Sequence, residues 1–127
     1  MTGERTVLFV CLHGAAMSRL AAAYFNRAAP AGWHAVSAGL DPADTLSPTA
    51  EKLLAGTDAE AFLDRSPPRS VEAVSNPKRV VALRNPAIQF ELASAGRTWD
   101  LTHSTGSPMR EEIRLRAETL ARSIGAT

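Results

Sequence analysis

Residues 6–10, Thr-Val-Leu-Phe-Val, form an unbroken apolar and β-branched run that ends at Cys11. A strand with one wet face alternates apolar and polar residues. An unbroken run instead requires apolar neighbours on both faces, as in a parallel sheet. Residues 11–17 follow, with Gly14, Ala15 and Ala16 giving a loop of little side-chain bulk, and Leu20 to Ala29 are rich in helix formers before Pro30 and Gly32. Ser18 reads as the helix N-cap. Strand, tight loop and helix in this order constrain the chain to an α/β fold. They also put the loop at the carboxyl end of a buried strand, where such folds bind ligands.

The rest of the chain extends the pattern. Residues 33–39 predict a second strand, Thr49 to Ala55 a helix ending at Gly56, residues 78–83 a third strand and residues 97–101 a short fourth. The segment 57–77 reads as turns opening a short helix through Val74. Ser107 to Ser123 predicts a final helix with Pro108 in its first turn, Glu111 and Glu112 towards its positive end and Arg122 near its negative end. Its residues Met109, Ile113, Arg116 and Leu120 do not make a clean apolar face. The expected architecture is one domain, residues 1–127, built as a three-layer α/β sandwich. A short parallel four-stranded sheet is flanked by helices, with a phosphate loop after the first strand.

Composition narrows the function. Fourteen Lys and Arg against thirteen Asp and Glu leave no basic surface for nucleic acid or membrane. The first apolar run is too short for a signal peptide or a membrane span, so the expectation is a cytoplasmic protein. A single cysteine excludes an intrachain disulfide. His13, His34 and Cys11 lack zinc-ligand spacing, and no nucleotide-binding glycine motif is present, so no metal and no cofactor is expected.

The loop of Leu12, His13, Gly14, Ala15, Ala16, Met17 and Ser18 would aim backbone N–H groups and the positive end of a helix at one point. Cys11 at its base would gain nucleophilicity there; the alternative is a small buried apolar residue. His13 could bias Cys11 electrostatically. Arg84, at the end of the third strand, could bring positive charge near the loop or sit as an exposed loop cation. Arg65 and Arg69 read as a solvated turn, and Trp33 and Trp99 as core or edge residues.

The stretch VLFVCLHGAAMSRLAAAYFN resembles the N-terminal signature of the low-molecular-weight protein tyrosine phosphatases and the related thioredoxin-coupled arsenate reductases: strand, Cys, five residues, Arg, Ser, helix. The resemblance continues through SAG at 37–39, Pro48 before a helix, RVVAL at 79–83 and WDL at 99–101. It implies that Cys11 is the nucleophile that forms a phosphocysteine, that Ser18 supports the thiolate and that Ser37 braces the loop. Gly14 takes the place of an asparagine in a left-handed conformation, which glycine reaches without strain.

Two departures bear on activity. Met17 occupies the arginine position, and methionine offers no bidentate donor to a phosphoryl group. Losing even one oxyanion donor lowers a rate about 10²–10³-fold. Arg19 lies about 200° further round a helix and should point away from the loop. In the acid loop, His103 stands at the general-acid aspartate position and Ser104 replaces the following proline, while Asp100 belongs to the preceding part of the motif and reads as structural. Histidine can protonate a leaving group near neutral pH; the alternative is an exposed loop residue. Without resolving cysteines, arsenate reduction by disulfide formation is excluded.

The leading expectation is therefore a phosphatase-like protein of impaired activity. It would bind a phosphate-like oxyanion or a phosphorylated ligand, or serve as a protein-interaction module. The alternatives are a working cysteine-dependent phosphomonoester hydrolase with a substitute arginine and acid, and a redox-responsive single-thiol protein.

Overall fold

The structure, a computed structural model, describes residues 4–126. Four strands, β1 (Arg5–Cys11), β2 (Trp33–Gly39), β3 (Arg79–Arg84) and β4 (Arg97–Asp100), form one parallel sheet in the order β2-β1-β3-β4. β1 lies between β2 and β3, and Val7, Leu8, Phe9 and Val10 are fully buried, as the unbroken apolar run demands.

The helices are α1 (Met17–Ala28), α2 (Pro48–Leu54) and α3 (Gly106–Gly125). They share one hydrophobic cluster with Val7, Phe9, Val81, Leu83 and Trp99 of the sheet. Phe9 is its centre, with Phe25 of α1 edge-on at 6.1 Å between ring centroids and Trp99 at 5.4 Å. The opposite face, Leu8, Val10 and Ala38, is covered more thinly. Val71 and Val74, at a short 3₁₀ turn over Val71–Ala73, pack there together with Phe90 and Leu92 of the irregular segment after β3. Trp33 lies at the sheet's outer edge, under the Arg5 guanidinium 5.1 Å from its ring.

Three sequence expectations are corrected. Ser18 is not the N-cap of α1: the helix begins at Met17, its N-cap is Ala16 without a capping side chain, and the Ser18 hydroxyl is turned inward. The segment 57–77 holds two separate 3₁₀ turns, Glu60–Phe62 and Val71–Ala73, rather than one short helix. α3 does have an apolar face, Met109, Ile113, Ala117, Leu120, Ala121 and Ile124, which runs through Ala117 and leaves Arg116 outside. Among the described residues, no helix is long and apolar enough to cross a membrane.

Candidate anion-binding site

Strand order changes direction between β1 and β3, because β1 leads to β2 on one side and β3 lies on the other. The crevice at the carboxyl ends of these two strands is the expected ligand position. Cys11 closes β1 there, Arg84 closes β3, and Asn85 follows it.

The carbonyls of residues 11–14 are engaged by residues 40–43 and Arg19. The Cys11 carbonyl accepts from the Leu40 N–H at 3.1 Å, that of Leu12 from Asp41 at 2.7 Å and that of His13 from Ala43 at 3.1 Å. The Gly14 carbonyl accepts from Arg19 Nε at 3.0 Å. In a planar trans peptide the next N–H points opposite the carbonyl. The N–H groups of His13, Gly14 and Ala15 are thus turned away from residues 40–43 and Arg19, and none of the described residues accepts a hydrogen bond from them. The first-turn N–H groups of α1 add further donors without intrahelical partners.

Two glycines let the loop lie this close to β2. Gly14 has φ +64°, and a Cβ there would meet the Gly39 nitrogen at 2.6 Å. A Cβ on Gly39 would meet the His13 carbonyl carbon at 2.6 Å. Any side chain at either position drives backbone into backbone.

Cys11 is 4% exposed at the base of the loop, and its Sγ lies 3.1 Å from Ser18 Oγ. Ser18 can stabilise a thiolate from this position. Arg19 is fully buried behind the loop. Its Nη1 donates to the Asp64 carbonyl at 2.6 Å, and the Asp64 carboxylate lies 3.8 Å away. Burial lowers the Arg19 pKa, opposed by Asp64. Arg69 completes this backing, donating to the Asp64 carboxylate at 2.9 Å and to the Ser37 carbonyl at 2.7 Å. Burial favours a neutral Asp64, but hydrogen bonds from Ser66 and Arg69 outweigh it and hold its pKa at about 2. Ser37 meets this cluster through its carbonyl; its buried hydroxyl has no partner among the described residues.

A cavity of about 370 Å³ opens over Cys11, bounded by residues 11–13 and 15–17, the start of α2, Asn85 and Ile88 after β3, and residues 104–106 with Met109. Met17 lines it, and Asn85 Nδ2 lies 3.3 Å from its Sδ. The Asn85 Oδ1 accepts from the Ala87 and Ile88 N–H groups, which fixes the turn after β3. Arg84 is committed elsewhere. Its Nε and Nη2 grip both Asp100 oxygens at 2.7 and 3.0 Å, and its Nη1 reaches Glu91 at 3.0 Å. The hydrogen bonds raise the Arg84 pKa and lower that of Asp100.

His103 does not line the cavity; its Nδ1 faces Glu112 at 3.2 Å, and Ser104 and Thr105 take the cavity wall. Glu112 also accepts from the Thr102 and His103 N–H groups. These bonds lower its pKa against the upward push of burial. His13 lines the rim and donates from Nδ1 to the Asp41 carbonyl at 3.0 Å. Among the described residues, no cluster of three or more His, Cys, Asp or Glu could hold a metal ion.

The structure brings Cys11, Leu12, His13, Ala15, Ala16 and Met17 together around one cavity with Ser18 beneath, and sets Arg19, Ser37, Arg84, Asp100 and His103 outside it. Sequence reasoning missed Asn85, Asp64, Met109 and Glu112. Only Asn85 carried a signal, as the polar residue next to Arg84 just beyond the predicted third strand, at the switch point.

No protein-family model and no curated protein matches the chain in sequence. Solved structures do match. An arsenate reductase from Archaeoglobus fulgidus is 29% identical, with TM-score 0.69 over 91% of this chain and 98% of its own. An arsenate reductase in a phosphate-binding state is 17% identical with TM-score 0.71, over 94% of this chain and 98% of that one. A low-molecular-weight protein tyrosine phosphatase from T. tengcongensis is 18% identical with TM-score 0.64, over 95% and 97%. Superposed over nearly its whole length on these structures, the chain has the fold of the arsenate reductases and low-molecular-weight protein tyrosine phosphatases.

Proposed function

We propose that the loop after β1 is an oxyanion-binding cradle and that the protein acts as a ligand-binding or interaction module with little or no phosphatase activity. The observation that carries this reading is the outward anchoring of the carbonyls of residues 11–14. It turns the N–H groups of His13, Gly14 and Ala15 the other way, and none of them has a partner among the described residues. The arsenate reductase structure in a phosphate-binding state, which has this fold, supports an oxyanion as the occupant.

Impaired catalysis follows from the same wall. Met17 supplies no charge to a transferring phosphoryl group. Arg84 is held by Asp100 and Glu91, and Arg19 by Gly14 and Asp64. His103 faces Glu112. Loss of the arginine and the acid together lowers the rate by about 10⁴–10⁷ if the effects are independent.

The test is steady-state hydrolysis of an aryl phosphate by the wild type, Met17→Arg and Cys11→Ser. The reading expects wild-type turnover far below the enzymatic range of about 1–10³ s⁻¹. Turnover within that range, abolished in Cys11→Ser, would establish the active-hydrolase alternative.

A further inference from the structure

From the charge balance of the cavity we infer that it selects an organic monoanion, a sulfonate- or carboxylate-type head on an apolar body, over a phosphomonoester dianion. This rests on the oxyanion reading above and narrows it.

The cavity wall itself offers a ligand dipoles rather than cations, and the buried Arg19 acts on Cys11 only from behind the loop, where it is paired with Asp64. No lysine or arginine lines it among the described residues, and His13 at the rim is its one basic side chain. Where the resemblance places an arginine there is the Met17 thioether, which accepts from Asn85. The arginines of neighbouring elements face other partners: Arg84 holds Asp100 and Glu91, Arg110 holds Glu111 and the Leu53 carbonyl, and Arg19 binds the Gly14 and Asp64 carbonyls, its buried Nη2 having no partner among the described residues.

Two long helices begin at the cavity. α1 presents Ala16 and Met17, and α3 presents Thr105 and Gly106. Thr105 makes no side-chain cap, so the N–H groups of Gly106 and Ser107 stay available; Pro108, third in the helix, has none. Each helix start is equivalent to about half a positive charge, so the pair offsets about one negative charge. A second charge on the ligand would be desolvated beside Cys11 with no cation in the cavity wall to pair with it.

Leu12, Ala15, Ile88 and Met109 make an apolar stretch of wall around the Met17 side chain, beside the hydroxyl-bearing Ser47, Thr49 and Ser104, and about 370 Å³ exceeds what a bare inorganic oxyanion fills. An aryl or alkyl body attached to the anionic head occupies that space, and dispersion contacts contribute what the missing cation cannot.

The experiment compares benzenesulfonate with phenylphosphonate, which share the ring and a three-oxygen tetrahedral head, at a pH where the phosphonate carries both charges. Binding is read from backbone amide shifts of the full chain. The expected result is displacement of the amides of residues 13–17, 105–107 and 109, with benzenesulfonate binding about tenfold tighter or more. Phenylphosphonate binding as tightly or tighter at the same amides would overturn the monoanion preference and leave the oxyanion reading intact. Binding of neither, with the amides of 13–17 unmoved, would overturn both.

Discussion

Arg19 Nε donates to the Gly14 carbonyl at 3.0 Å from the side of the loop opposite the cavity, while its Nη1 donates to the Asp64 carbonyl 45 residues further along the chain. One buried guanidinium thus ties the loop to the segment behind it. It also helps set which way the loop's N–H groups face, by holding one of the carbonyls that must point outward.

Arg19→Ala should therefore destabilise the fold by roughly 2–4 kcal/mol, because it leaves two buried carbonyls unpaired and opens a cavity. Arg19→Lys should recover only part of that, since a single ammonium cannot reproduce the two-sided fork. Urea unfolding measures both. Wild-type stability in Arg19→Ala would remove Arg19 from this role.

Gly14→Ala combines a left-handed φ of +64° with a Cβ 2.6 Å from the Gly39 nitrogen. The expected loss is about 2 kcal/mol or more, with the loop amides displaced. Gly39→Ala should behave similarly, for the reciprocal contact with His13. Gly56→Ala is the control. Its φ is +80° but a Cβ would meet nothing within 4 Å, so only the conformational cost applies.

Asp64 gives the acid limb of stability a specific origin. Its pKa is depressed to about 2, so the folded state binds the proton less readily than the unfolded chain, whose aspartates titrate at about 3.9. Its contribution is present above about pH 4 and is lost as pH falls towards 2. In Asp64→Asn, stability should depend less steeply on pH across that window. An unchanged slope would assign the acid limb to other carboxylates, such as Glu112.

Much of this was legible in the sequence. The β1 run announced a doubly buried strand, and the glycine and alanines after it announced a loop able to lie against another strand. The start of α1 was not legible, because Ser18 resembles a cap while its hydroxyl serves Cys11 and the true N-cap, Ala16, carries no signal. Helix geometry turns Arg19 away from the cavity. That it returns to the loop from behind depends on Asp64, a partner no local pattern reveals. The commitment of Arg84 likewise depends on register, since β3 and β4 pair Arg84 with Asp100 side by side. The second face of the sheet, covered by 3₁₀ turns and irregular chain, has no periodicity from which it could have been read.

Glu112 tests whether the 101–105 loop is held independently of any ligand. It accepts from Thr102 N–H at 2.8 Å and His103 N–H at 3.1 Å. Glu112→Ala should cost about 2 kcal/mol and increase hydrogen exchange at Thr102 and His103 while leaving the amides of 13–15 unperturbed. Perturbation of both loops together would show that they form one cooperative unit.

The most direct measurement is a crystal structure of the protein with methanesulfonate. The account predicts an anion above Cys11 Sγ, its oxygens about 2.7–3.2 Å from the N–H groups of His13, Gly14 and Ala15, with no arginine touching it. An empty loop, or an anion held by a guanidinium with these three N–H groups unused, would contradict it.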